Sequence, residues 1–208
     1  MAGNRMKVIY RHAVITACFL VVSAFVLPSA AFAHLVSTGM GPVYDGAVHL
    51  LMTPEDLIVV IAIAVYAGLQ GKEYGRYTLF LLPIFWFLGG LFGFLLEMET
   101  SFPLTSISFL LIGVLIAANV RLPTQVFFPI VAALGAMHGV LNGQALEAGP
   151  GTLGLVGIGC TIFVLVALLS GFMLLLKRPW ERIVIRVLGS WITASGMLML
   201  GWYAKDLR

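Results

Sequence analysis

Six apolar stretches, each close to the length of a membrane-crossing helix, fill most of this chain, with only short polar loops between them. They lie at about 55–71, 77–96, 104–120, 123–141, 153–176 and 184–203. A helix rises 1.5 Å per residue, so crossing a hydrocarbon layer of about 30 Å takes roughly 20 apolar residues. Within that layer the backbone has no water to bond, so such a segment closes its own hydrogen bonds as a helix. Composition agrees. Apolar residues make up 61% and charged residues 10%, and mean hydropathy is +1.05. A soluble domain cannot bury that much apolar surface. The sequence therefore predicts an all-α integral membrane protein, a compact bundle of six transmembrane helices. The short linkers make residues 55–208 one domain, with no internal repeat and no low-complexity tract.

The N-terminus reads as a cleavable secretory signal over residues 1–33. Arg5, Lys7 and Arg11 form a basic region, Ala13 to Leu27 an apolar one, and Ala31-Phe32-Ala33 a small-x-small cleavage site. Cleavage leaves His34 as the first mature residue, followed by an extracytoplasmic segment over 34–54. The alternative is an uncleaved first membrane helix, which leaves the later topology unchanged.

Loop charges set the orientation. With His34 outside, the inner loops hold Lys72, Arg76, Arg121, Lys177, Arg178, Arg182 and Arg186, and the outer segments hold only Lys205 and Arg208. That asymmetry follows the positive-inside rule. The acids distribute the other way: Asp45, Glu55, Asp56, Glu97, Glu99, Glu147 and Asp206 fall outside. They either collect where cations are excluded or form a field that concentrates cations at a mouth. The net charge of +3 is no nucleic-acid signal, because its basic residues sit in inter-helix loops. Of the two cysteines, Cys18 lies in the signal and Cys160 in an apolar helix, so the mature chain forms no internal disulfide. Gly89, Gly90 and Gly93, with Gly154, Gly157 and Gly159, read as helix-contact positions. The aromatic run from Phe80 to Phe94 reads as lipid-facing or core.

Few side chains here can do chemistry, and they gather at the outer face. His49 precedes Thr53-Pro54-Glu55-Asp56, at the head of the first mature helix. Imidazole and carboxylate suit a borderline divalent cation such as Ni²⁺ or Co²⁺. Helix capping is the rival reading. Thr53 is a good N-cap, Pro54 suits N1, and acids in the first turn favour the helix dipole. Capping accounts for Glu55 and Asp56 but not for His49. Further on, His138 and Asn142 are four residues apart near the outer end of the fourth span, which places both on one helical face. Ionisable groups inside a span usually face a cavity or the bundle interior. Gly139 and Gly143 beside them suit close packing. His34, as a free N-terminal histidine, offers an amine and an imidazole to one metal. Glu97, Glu99 and Glu147 read as solvated. The candidate metal set is therefore His49, Glu55, Asp56, His138, Asn142 and His34. No complete nucleophile–base pair and no phosphate loop is present, so an enzyme is not expected.

These motifs resemble the HupE/UreJ family of small nickel/cobalt permeases that accompany hydrogenase and urease maturation. The resemblance covers nearly the whole mature chain. His49-Leu50-Leu51-Met52-Thr53-Pro54-Glu55-Asp56-Leu57 resembles the family's H-P-x-x-G-x-D-H-L, with Glu55 in place of Asp and Asp56 in place of His. The stretch from Leu82 and Pro83 to Gly89, Gly90 and Gly93 is similar to the family's second helix. Ser108 to Gly113 is similar to its S-V-L-x-x-G segment, and Arg121-Leu122-Pro123 to its third-to-fourth connection. Met137-His138-Gly139-Val140-Leu141-Asn142-Gly143-Gln144-Ala145 resembles F-H-G-x-A-H-G-x-E. There the second histidine is replaced by Asn142 and the glutamate by Ala145. The resemblance implies a bacterial inner-membrane permease taking a divalent transition metal from the periplasm, with no permanently bound cofactor. The altered ligands keep a second reading open, a non-transporting accessory subunit on the same scaffold. Expected partners are the lipid bilayer, the metal ion, and either a second copy or another membrane protein.

Overall fold

The computed structural model describes residues 37–96, 103–147 and 149–206. The signal segment, His34, Glu97 and Glu99 lie outside the described residues. Among the described residues seven helices follow in order: α1 (Pro42–Met52), α2 (Pro54–Gln70), α3 (Lys72–Gly93), α4 (Leu104–Ala117), α5 (Thr124–Leu146), α6 (Gly151–Met173) and α7 (Pro179–Asp206). No strand occurs among the described residues. Helices α2 to α7 coincide with the six apolar segments. Helix α1 is an addition, in a stretch read from sequence only as an extracytoplasmic segment.

Local chemistry explains the boundaries. Proline opens both α1 and α2 at the first helical position, where its missing N–H has no partner to lose. Gly71 separates α2 from α3 at φ 128°, a conformation that a side chain would oppose. Asn119 ends α4 in the left-handed region at φ 51°, where asparagine is tolerated. Arg186 Nε donates to Ala117 O at 2.8 Å, placing a cation on the carbonyl end of α4.

Among the described residues four helices, α3, α5, α6 and α7, are long and apolar enough to cross a membrane alone. Helix α2, at 17 residues, passes that test only together with α1, and the two are bent by 82° at Thr53. So sharp a bend adds almost nothing to α2's length along its axis. We therefore treat α1 as a helix at the mouth, outside the spanning segments. Helix α4 is apolar but only 14 residues long.

Glycine sets how closely the helices approach. On α5, Gly135, Gly139 and Gly143 face Leu82 O, Trp86 O and Gly90 O of α3, and a Cβ at Gly139 or Gly143 would lie 2.1 Å from that oxygen. On α3, Gly89 and Gly93 face Ala136 O and Val140 O in turn. The register rises together on both helices, so α3 and α5 run parallel and interlock over three turns. Small residues let backbones meet this way where lipid offers no hydrophobic drive to association. Helices α4 and α7 pack antiparallel through Gly113, Gly189 and Gly196. Helix α1 runs against α6 where Gly46 meets Gly154 and Gly157 meets Val43.

The same contacts sort the loops into two ends. Tyr66 Oη and Gln70 Nε2 donate to Val120 O at 3.0 and 2.6 Å, and Tyr74 Oη donates to Leu122 O at 2.8 Å. Gly68 and Gly75 abut Ser170 near the end of α6. One end of the bundle therefore holds the α2–α3, α4–α5 and α6–α7 connections, with Lys72, Arg76, Arg121, Lys177, Arg178, Arg182 and Arg186. The opposite end holds α1, the start of α2 and the end of α5.

Candidate metal site at the Asp56–His138 pair

Asp56 is the third residue of α2. Pro54 and Glu55 before it are exposed, whereas the next step of the helix turns Asp56 inward, to 4% exposure. Its partners come from α5. Asp56 Oδ1 lies 2.6 Å from His138 Nδ1, and Asn142 Nδ2 donates to Asp56 Oδ2 at 2.6 Å. The four-residue spacing of His138 and Asn142 puts one ligand on each carboxylate oxygen.

Two more helices complete the cluster. Ser108 of α4 approaches His138 Nε2 at 3.0 Å and donates its hydroxyl proton to Thr105 O at 2.7 Å. In that arrangement Ser108 Oγ accepts from Nε2–H. Trp86 of α3 stacks on the His138 ring, centroids 5.4 Å apart and planes 26° from parallel. The stack depends on the glycines, because Gly139 brings α5 against Trp86 O. Helices α2, α3, α4 and α5 thus converge on one imidazole with no exposed surface.

The polar accounting is nearly closed. Both ring nitrogens of His138 and both oxygens of Asp56 are engaged. Asn142 Oδ1 is buried without a partner among the described residues, and so is Trp86 Nε1. A buried carbonyl oxygen left this way loses the hydrogen bond it had in water, at a cost of about 1–3 kcal/mol. It is also a free oxygen donor, on a side chain that is bonded to the one His–carboxylate pair among the described residues.

The sequence-derived candidates separate into groups. Asp56, His138 and Asn142 are brought together. Glu55 faces outward and makes no hydrogen bond among the described residues. His49 is half-buried in the last turn of α1, and its ring makes no hydrogen bond among the described residues. Burial holds its imidazole below the ordinary value, and the nearby Asp56 and Glu55 carboxylates oppose that shift. His34 lies outside the described residues. Glu147 is exposed just beyond α5.

Two readings change with the structure. Thr53 occupies the N-cap position, yet its hydroxyl donates back to His49 O at 2.7 Å and does not cap α2. Asp56 is not simply a first-turn acid serving the helix dipole, since its carboxylate is spent on α5. Sequence reasoning also missed Ser108 and Trp86 as site residues. The available signal for Ser108 was a lone serine within a family-like segment. Trp86 belonged to an aromatic run read as lipid-facing or core.

Three or more His, Cys, Asp or Glu side chains arranged to hold a metal do not occur among the described residues. The cluster supplies one imidazole, one carboxylate and one amide oxygen. Those donors suit a borderline or hard divalent cation, and a metal reaching His138 would have to displace a hydrogen bond from one ring nitrogen.

A family model described as HupE / UreJ protein matches residues 21–199. No curated protein and no solved structure matches the chain.

Proposed function

The chain belongs to the HupE/UreJ family, and from that premise we propose that it is a membrane permease for a divalent transition metal, nickel or cobalt. The observation that carries this reading is the buried Asp56–His138–Asn142 cluster, set near the end of the bundle opposite the seven basic residues. By the positive-inside rule the basic end faces the cytoplasm. The cluster then lies toward the periplasmic mouth of the bundle, with both mature termini periplasmic. His49, half-buried in α1 with Asp56 and Glu55 acting on it, stands where an incoming ion would lose its first waters.

Transport requires the cluster to open. Asn142 Oδ1 is available as it stands. Asp56 can accept a cation on lone pairs that its two hydrogen bonds leave free. His138 becomes a ligand only when Nδ1 leaves Asp56 or Nε2 leaves Ser108. A site that must give up its own hydrogen bonds to bind holds its ion weakly, and weak exchangeable binding is what passage needs.

Accumulation of radiolabelled nickel and cobalt tests the proposal. Cells would carry the wild type, Asp56→Asn, or His49→Ala with His138→Ala, at matched membrane levels. Uptake by the wild type that the variants lose supports a permease. No uptake of either metal by correctly inserted wild type rejects it.

A second reading rests on one observation, the engagement of both His138 nitrogens in a cluster with fewer than three His, Cys, Asp or Glu ligands. It makes the chain a non-transporting accessory subunit, in which Asp56–His138 holds four helices together. No nickel or cobalt uptake by correctly inserted wild type, together with a loss of stability in His138→Gln, would favour this reading.

A further inference from the structure

Far from the Asp56 cluster, α3 carries a second organised surface. Lys72, Arg76, Phe80, Ile84, Phe87 and Leu88 recur at three- or four-residue spacing, which puts them on one face of the helix. The face changes character along its length. At the basic end of the bundle, Lys72, Glu73, Arg76, Tyr77 and Phe80 line a pocket of about 570 Å³. From Phe80 onward, Ile84, Phe87 and Leu88 of α3 face Val156 and Phe163 of α6 across a groove of about 620 Å³. Both volumes fall within the roughly 300–1,000 Å³ of ligand clefts. Phe80 lines both, in edge contact with Phe163 at 5.7 Å.

We propose that this composite cleft is a binding site for one anionic phospholipid, its phosphate at Lys72 and Arg76 and an acyl chain along the α3–α6 groove. Charge complementarity selects the occupant. Lys72 and Arg76 are exposed and take no hydrogen bond or ion pair among the described residues. Glu73 shares the pocket and is the one carboxylate there, so two cations face one anion. Length agrees as well. Arg76 to Leu88 is twelve helical steps, about 18 Å at 1.5 Å each, close to the roughly 15 Å of one leaflet's hydrocarbon. A headgroup beside Arg76 therefore sends its chain down the groove to about the bilayer midplane. The basic end is also where anionic lipid concentrates if it faces the cytoplasm.

The occupant predicts a graded response. Delipidated full-length protein in a neutral detergent is titrated with phosphatidylglycerol, phosphatidylcholine or glycerol phosphate, and retained lipid is counted by native mass spectrometry. Phosphatidylglycerol is expected to bind about tenfold to thirtyfold more tightly than phosphatidylcholine, as two cations can supply for a headgroup of net negative charge over one whose choline cancels its phosphate. Glycerol phosphate, lacking a chain, should not compete. The Lys72→Gln, Arg76→Gln pair should erase the preference while leaving phosphatidylcholine unaffected. Gly159→Leu should weaken both lipids with the charges intact, because a side chain there meets nothing within 4 Å and projects into free space beside the groove. Equal binding of the two lipids by the wild type overturns the proposal, and so does a full preference in the glutamine pair. Disulfide formation through Cys160, which lines the groove, gives an independent check in a Cys18→Ser background. Efficient cross-linking between copies in native membranes would show that a second chain covers the groove, and would also overturn it.

Discussion

Asp56 Oδ1 and His138 Nδ1 meet at 2.6 Å across 82 residues of sequence, and both side chains are removed from solvent. A pair so placed fastens the head of α2 to α5. Deleting one member of a buried hydrogen-bonded pair leaves the other unsatisfied, at a cost of about 1–3 kcal/mol, and more for a charged group. Asp56→Ala and His138→Ala are each expected to fall in that range. The double variant should lose less than the sum, because neither orphan remains. Denaturation of purified protein in mixed micelles, run as a double-mutant cycle, measures the coupling. Additive losses would mean that the two side chains act independently.

Ser108 orients the same ring from the other side. Ser108→Ala leaves His138 Nε2 without its acceptor, and a buried unsatisfied polar group costs about 1–3 kcal/mol. Stability should fall by that amount, while Ser106→Ala, on the same helix but without a side-chain bond to the cluster, falls less. Equal losses in the two variants would remove Ser108 from the site.

The α3–α5 seam makes a steric prediction. A Cβ at Gly139 or Gly143 would sit 2.1 Å from a backbone oxygen of α3, whereas one at Gly159 meets nothing within 4 Å. Forcing a methyl into a packed contact costs typically 1–3 kcal/mol, and more where backbone must move. Gly139→Ala and Gly143→Ala should each lower the unfolding temperature in micelles, with Gly159→Ala neutral. Gly139→Ala should also lose tryptophan fluorescence features of the Trp86–His138 stack.

Much of this arrangement could be read from the chain, and the parts that could not fail for identifiable reasons. The apolar runs located α2 to α7 because crossing length and loop charge are sequence properties. Helix α1 escaped because residues 42–52 mix Gly46, Asp45 and His49 among apolar residues, and the helix is completed by Gly46 packing on Gly154. Asp56, His138 and Asn142 were all among the sequence candidates, and the fold brings them together. Their pairing was hidden because an acid in a first helical turn looks the same whether it serves the dipole or a distant histidine. The choice of Asp56 over Glu55 is set by one step of helical rotation. Ser108 was hardest to see, since serine in an apolar helix often bonds its own backbone, and here it does so with Thr105 O as well.

The N-terminal clasp of α1 carries a pH dependence. Thr38 N and Thr38 Oγ1 both donate to Asp45 Oδ1 at 2.6 Å. The hydroxyl bond first and the backbone bond second hold this carboxyl below its ordinary 3.8. A carboxyl depressed in the folded state stabilises it above the unfolded value, and that contribution disappears as pH falls through the folded value. Amide exchange over residues 38–46, corrected for intrinsic rates, should therefore be flat between neutral pH and about 5 and should rise only in stronger acid. Thr38→Val should raise exchange at neutral pH and flatten the acid response. A steady rise from neutral pH downward would point to a different group.

Asn142 separates the transport reading from the structural one. Its Nδ2 donates to Asp56 Oδ2 while its Oδ1 is buried without a partner among the described residues. Asn142→Asp replaces that donor with a second carboxylate of nearly the same shape. Without metal, two buried carboxylates in contact repel, and the variant should be less stable than wild type. A divalent cation relieves the repulsion and gains a ligand, so nickel or cobalt should restore stability, by about 2.7 kcal/mol when the ion is at a hundred times its dissociation constant. Magnesium, which gives up its waters reluctantly and favours octahedral oxygen sites, should restore less. Unfolding temperatures of wild type and variant, each with chelator, nickel, cobalt or magnesium, measure the difference. If Asn142→Asp is destabilised and no cation recovers it, the cluster is a helix clamp and the metal passes elsewhere. Recovery selective for nickel or cobalt would place the ion between Asp56 and the side chain at position 142, beside an imidazole that need only let go of one hydrogen bond to join them.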